Sequence, residues 1–224
     1  MKVLFLGKQR DDFYCNRAMD FLRQQLPETH FLLANPGQKF PAENLKDWDG
    51  DYVISYLCPW VLPGWLLTKA RVAAINFHPA PPQYPGTGCT NFALYNEESE
   101  YGVMCHHMSP NVDSGKVIAV RRFAVFPEDS VYSLTQRCYA YMLTLFYEIL
   151  AGILQGKPLP ESDETWTRKP YRKTDLDALK IITPDMPVDE IRRRVRAVTY
   201  PGYAGASMEI DGMRFEYVSP KNGE

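Results

Sequence analysis

The sequence predicts an α/β fold: a mostly parallel twisted sheet flanked by helices, followed by a small C-terminal extension containing a β-hairpin. Three observations carry this prediction. In the first half of the chain, short apolar runs alternate with segments whose apolar residues recur at helical spacing, the pattern of a parallel sheet buried on both faces. A long amphipathic stretch, Val131 to Leu154, follows the last of those runs. Near the end, Asp211-Gly212 sits inside Ala206 to Val218, and an Asp-Gly pair is a strong hairpin signal.

Val3 to Leu6 is a short apolar strand that stops at Gly7, and Asn16 to Leu26 has helical spacing until Pro27 breaks it. Phe31 to Ala34, Tyr52 to Tyr56 and Ala73 to Phe77 read as further strands, with a short helix, Leu62 to Lys69, between the last two. After His78 the prolines at 79, 81, 82 and 85, followed by Gly86 and Gly88, exclude regular structure. Gly102 to Met108 and Val117 to Val125 are two more strands, separated by the loop Ser109 to Lys116. Asp129 and Ser130 supply an N-cap for the helix that runs from Val131 to Leu154 and stops at Gly156. These elements make a Rossmann-like unit over residues 1–158. Residues 159–224 form the extension, which turns polar and basic at Arg168, Lys169, Arg172 and Lys173 before a helix, Val188 to Val198, and the hairpin.

Composition narrows the class of function. Hydrophobic residues at 45% and charged residues at 23% of 224 describe a folded globular chain able to bury a core. A net charge of -2 gives no overall attraction to nucleic acid or anionic lipid. The apolar run at the start is too short for a signal peptide, and no stretch approaches the roughly 18 apolar residues of a membrane span. Five scattered cysteines without a CxxC pair argue against a disulfide framework and a zinc knuckle. A cytoplasmic location is expected.

The densest chemistry lies in Asn76-Phe77-His78-Pro79. Residues two apart on a strand face one side, so Asn76 and His78 point together, and Pro79 places them at the strand's carboxyl end, where open parallel sheets bind ligands. An amide there donates to a developing oxyanion, and an imidazole titrating near neutrality accepts a proton. Asp113, in the loop Ser109 to Gly115, is the candidate acid to orient that imidazole. Taken singly, Asn76 reads as a turn former and Asp113 as an ordinary loop acid. His106 and His107 face opposite ways on a strand, so only one can address the site. A zinc site from His78, Cys105 and His106 matches no usual ligand spacing. Lys8 and Arg10 follow the first strand, where a phosphate could lie, although a solvated loop is the plainer reading. Arg192-Arg193-Arg194 reads as a solvated helix face.

Asn76-Phe77-His78-Pro79, Tyr84-Pro85-Gly86, Gly102-Val103, His106 and Asp113-Ser114-Gly115 resemble, in order and spacing, the folate-dependent formyltransferases. The resemblance runs from about Met1 to Leu154. It implies a formyl transfer from N10-formyltetrahydrofolate, with no metal, in which Asn76, His78 and Asp113 are the catalytic trio. It also implies that Trp60, Val61, Leu62, Ser109, Val112 and Asp113 hold the folate, and that Tyr84 and Gly86 join Lys8 and Arg10 around the second substrate.

Within that family, Gly7 to Asp12 lacks the glycine-rich, serine-containing loop of glycinamide ribonucleotide transformylase. The roughly seventy residues after Leu154 leave little room for the barrel that methionyl-tRNA formyltransferase uses. The proline-rich segment after His78 and Cys58-Pro59-Trp60 are most similar to the sugar N-formyltransferases. The expected partner is therefore a nucleotide-linked amino sugar destined for surface polysaccharide of the O-antigen type, and not nucleic acid or membrane. A methionyl-tRNA formyltransferase-like enzyme acting on another amine, or a non-catalytic folate-binding module, is the alternative. The hairpin offers an edge on which a homodimer can pair.

Overall fold

The computed structural model describes residues 1–9, 13–35 and 37–218. Six strands form the main sheet: β1 (Val3–Lys8), β2 (His30–Ala34), β3 (Gly50–Tyr56), β4 (Ala70–His78), β5 (Glu100–His107) and β6 (Val117–Ala124). Their spatial order is β2-β1-β3-β4-β5-β6. The first four strands pair in parallel, and β5 and β6 are added antiparallel. The chain moves from β1 outward to β2 and then back past β1 to β3, and a sheet of this kind opens a crevice beyond the carboxyl ends where the order reverses.

Alternation of side chains decides what each face buries. Phe5, Ile54, Tyr56, Ile75, Phe77, Val103 and Cys105 point to one face. There they meet α1 (Phe13–Gln25) and α4 (Val131–Leu154), and the Phe146 ring packs edge-on or tilted against Phe5, Tyr56 and Phe77. Leu4, Leu6, Val53 and Ala74 point to the other face and pack on Leu45, Trp48, Leu62 and Leu66. That thinner layer includes the single turn α2 (Gly64–Leu67). Each Val, Leu, Ile or Phe side chain among them, fully buried, contributes about 1.5–3 kcal/mol.

By length and composition α4 is apolar enough to cross a membrane, but its apolar stripe lies in the core of this fold. Its start is fixed as the sequence predicts. Ser130 and Ser133 form a reciprocal capping box, and the buried Asp129 receives Phe126 N–H, Ser133 Oγ–H and two N–H groups of Arg137.

Two helices were not expected. Helix α3 (Cys89–Tyr95) follows the proline-rich segment, and α5 (Lys173–Leu179) lies in the polar stretch after it. The last helix, α6 (Val188–Val198), packs against α3. Leu179, Ile182, Ala197, Val198 and Ala206 join the large core cluster. The chain closes with the hairpin β7 (Ser207–Ile210) and β8 (Met213–Glu216), turned by Asp211 and Gly212, both at positive φ, as a two-residue turn of this type requires.

Candidate active site

Strand β4 brings Asn76 and His78 to one side, away from Phe77 and the large core. Strand β5 runs antiparallel beside it, so His106 lies directly opposite Asn76. The amide nitrogen of Asn76 is 3.0 Å from His106 Nε2, and His106 Nδ1 is 2.8 Å from the carbonyl oxygen of His107. A carbonyl only accepts, so Nδ1 carries the proton and Nε2 receives an N–H from Asn76. The second amide hydrogen of Asn76 is left to serve the cleft. His107, as alternation requires, points elsewhere and is half exposed.

His78 is only 6% exposed. Its Nε2 lies 3.1 Å from the Tyr84 carbonyl oxygen, which fixes that nitrogen as the donor and leaves the lone pair on Nδ1. That nitrogen faces Asp113 Oδ2 at 3.7 Å, while the other carboxylate oxygen is 3.6 Å from His106 Nε2. Gly86 N–H donates to Asp113 Oδ2 at 2.7 Å. Asp113 sits at positive φ, the strained corner that turns its carboxylate inward. Gly86 also has positive φ, and a Cβ there would lie 2.3 Å from the Tyr171 carbonyl oxygen, so no other residue fits between Asp113 and the backbone of Tyr171.

Electrostatics match this geometry. Burial holds the His78 pKa below its ordinary 6.5; His106 acts in the same direction, while Asp113 and the Tyr84 carbonyl oppose it. His78 is therefore a neutral, proton-accepting base at pH 7. Burial would raise the Asp113 pKa, but His78, His106 and the Gly86 N–H outweigh it and hold the carboxyl down to about 2. Cys89, whose Sγ lies 3.8 Å from His78 Nε2, has its thiol pushed up to about 12, chiefly by burial, and is no nucleophile.

Two cavities flank this cluster. The first, about 310 Å³, is lined by Asn76, His78, His106 and Asp113 at its base and by the 57–62 and 108–113 loops at its sides. Trp60, Val61, Leu62, Ser109 and Val112 all lie on its wall. The Trp60 indole is held edge-on to Phe40 by donating to the Gln38 carbonyl at 2.7 Å. The second cavity, about 420 Å³, shares Pro79 and Gly86 with the first and is lined by Lys8, Cys89, Thr90, Asn91, Thr135, Tyr139, Lys180, Tyr200 and Tyr203 among others.

Residues 33–149 match the family described as Formyl transferase. The chain belongs to that family. It is 30% identical over 171 residues to the GDP-perosamine N-formyltransferase of Brucella melitensis biotype 1, covering 74% of this chain and 63% of the relative. The chain thus spans less than two thirds of that relative's length. The fold matches protein Rv3404c of Mycobacterium tuberculosis with a TM-score of 0.77, at 20% identity over 98% of each chain. It also matches an N-formyltransferase of Helicobacter canadensis in complex with folinic acid and dTDP-3-aminofucose. That match has a TM-score of 0.73 at 16% identity, over 95% of this chain and 85% of the other.

Within this formyl transferase fold, the expected residues divide into two groups. Asn76, His78 and Asp113 converge on one point, and the six expected folate residues line one cavity. Lys8 and Gly86 line the second cavity. Tyr84 does not bring its side chain to either cavity: its ring is buried, and its hydroxyl donates to Glu98 at 2.6 Å, so its carbonyl is what reaches the site. Arg10 lies outside the described residues. Thr135, Tyr139, Lys180, Tyr200 and Tyr203 were not expected there, because α4 and the segments that follow α5 and α6, far apart in the chain, bring them together.

Proposed function

We propose that this chain transfers the formyl group of N10-formyltetrahydrofolate to the amine of a nucleotide-linked amino sugar used for surface polysaccharide. The observation that carries this reading is the position of the Asn76, His78 and Asp113 cluster at the base of the first cavity, where the second cavity adjoins it across Pro79 and Gly86. The folate supplies an activated formyl carbon when bound in the first cavity. The second cavity suits a nucleotide sugar: its tyrosines offer faces for a base or sugar, and Lys8 and Lys180 offer charge for phosphates. The names of the relatives, with GDP-perosamine and dTDP-3-aminofucose, support that substrate class.

Asn76 aims its free amide hydrogen where negative charge develops on the formyl oxygen. His78 takes the proton of the attacking amine on Nδ1, the nitrogen left without one. As the bond between the formyl carbon and N10 breaks, that proton passes to N10, so that tetrahydrofolate leaves with that nitrogen neutral. Asp113, ionised at neutral pH, faces that nitrogen and stabilises the imidazolium that forms. His106 acts as a positioning residue by fixing the Asn76 amide.

The test is incubation of the protein with N10-formyltetrahydrofolate and a panel of nucleotide-linked amino sugars, reading product masses. A formylated sugar is expected. Formylation of charged initiator tRNA and of no sugar overturns the substrate, and tight folate binding without turnover of any amine overturns the enzymatic reading.

A further inference from the structure

Between the main fold and α5, residues 162–171 cross the site as a strap. Ser162 N–H bonds to the Val117 carbonyl at 3.3 Å, and Thr167 N–H to the Pro82 carbonyl at 3.5 Å. Tyr171 exchanges two 2.9 Å bonds with the proline-rich loop, donating to Pro85 and accepting from Thr87. The Tyr171 ring stacks on Phe92 with centroids 3.7 Å apart and planes within 5°. Arg122 reaches from β6 to hold both Gln83 and Glu164. The strap is thus anchored before and after Trp166.

Trp166 uses that anchorage in two ways. Its ring stands edge-on to His106 at 5.0 Å and to His78 at 6.1 Å between centroids. Its indole N–H donates to the Gly115 carbonyl at 2.7 Å, two residues beyond Asp113. Gly115 is itself pressed on β5, where a Cβ would lie 1.8 Å from the His107 carbonyl oxygen, so the indole bond lands where the Asp113 loop rejoins the sheet. Trp166 lines neither of the two cavities described above.

We infer that Trp166 is a positioning residue for the transfer reaction, covering His78 and His106 with its ring and tethering the Asp113 loop with its N–H. The inference rests on the functional reading above for its effect on rate, but the cover itself is a property of the protein alone. The groups facing His78 are the Asp113 carboxylate, the His106 imidazole, the Cys89 thiol and the Tyr84 carbonyl. Replacing Trp166 alters the chemistry of none of these, and a looser Asp113, whose charge raises the His78 pKa, would by itself let that pKa fall. Removing the ring admits water, and a better solvated imidazole protonates more readily.

Two variants separate the roles. W166F keeps a ring and loses the donor; W166Q keeps a donor and loses the ring. In an NMR titration of the histidine side chains, W166Q is expected to move the His78 midpoint up toward 6.5, and W166F, which keeps the ring, not to raise it. The acid limb of kcat/KM should follow the same pattern. In W166F, kcat should fall several-fold with KM little changed, as a loosened Asp113 loop requires. A His78 midpoint in W166Q equal to that of the parent protein overturns the cover, and parental kcat in W166F overturns the tether. If the parent protein formylates no amine, the functional reading fails, while the titration still decides whether Trp166 shields His78.

Discussion

His106 presents one nitrogen to Asn76 at 3.0 Å and the other to the carbonyl of its own neighbour at 2.8 Å. The backbone bond sets which nitrogen is protonated, and that choice sets which way the amide points. His106→Ala should therefore lower kcat about tenfold or more by freeing the Asn76 amide, with the folate KM little changed. Gln at 106, which can still accept from Asn76, should recover part of the rate. Steady-state kinetics of both variants check this split.

Loss of the proposed base should be more severe. His78→Ala should lower kcat by about 10²–10⁴-fold, the usual worth of a positioned proton acceptor. Folate should still bind, because the cavity wall is otherwise intact, and equilibrium binding measured beside single-turnover transfer tests both halves. Full activity in this variant removes His78 from the mechanism.

The pH profile follows from burial. A base whose pKa is depressed below 6.5 stays unprotonated, and the rate full, until pH falls through that lowered value, so the acid limb of kcat/KM should have its midpoint below 6.5. Asp113 opposes the depression. Asp113→Asn should therefore move the limb further down in pH while reducing kcat, because the imidazolium formed no longer faces an anion. A limb that moves up in this variant would contradict the assigned pairing.

In the second cavity, Lys8→Met should raise KM for the nucleotide-linked substrate about tenfold, the scale of one lost charge-assisted hydrogen bond, and leave kcat nearly unchanged. Raising the salt concentration should weaken binding in the parent protein more than in the variant. An unchanged KM would place the phosphates elsewhere.

A structural prediction concerns Asp129, whose side chain is 4% exposed and paired with Arg137. Asp129→Ala leaves Arg137 unpaired and removes acceptors from Phe126 N–H and Ser133, so unfolding free energy should fall by about 3 kcal/mol. Urea denaturation measures it. Folate binding in the folded fraction should not change.

Some of this was readable in the residues because it is local. The common direction of Asn76 and His78 follows from the period of a strand, and the end of β4 from Pro79. The Ser130 cap and the Asp211-Gly212 turn announce themselves in the same way. The bond between Asn76 and His106 was not readable, since it depends on the register of β5 after a long proline-rich excursion. Helix α3 has no side chain closing its N-terminus: it starts after Gly88 in the left-handed conformation. Its seven residues are also too few for apolar spacing to stand out. The ring of Tyr84 turned to Glu98 because a buried phenol needs a partner, and nothing nearby in the chain names that partner. Trp166 meets the histidines only through the strap.

The stretch that matches the family, 33–149, contains the Asn76, His78 and Asp113 cluster and every lining residue of the first cavity. Lys8 precedes that stretch, and Leu176, Lys180, Val198, Tyr200, Tyr203 and Ala204 follow it. On the proposed reading, the cavity for the chemistry is therefore built wholly within the matched stretch, whereas the cavity for the amine joins residues of that stretch, such as Asn91, Thr135 and Tyr139, to residues outside it. The part of the amine cavity that follows α4 can be redrawn by descent without touching the wall of the first cavity, and exchanging that segment between two relatives should shift acceptor preference in part.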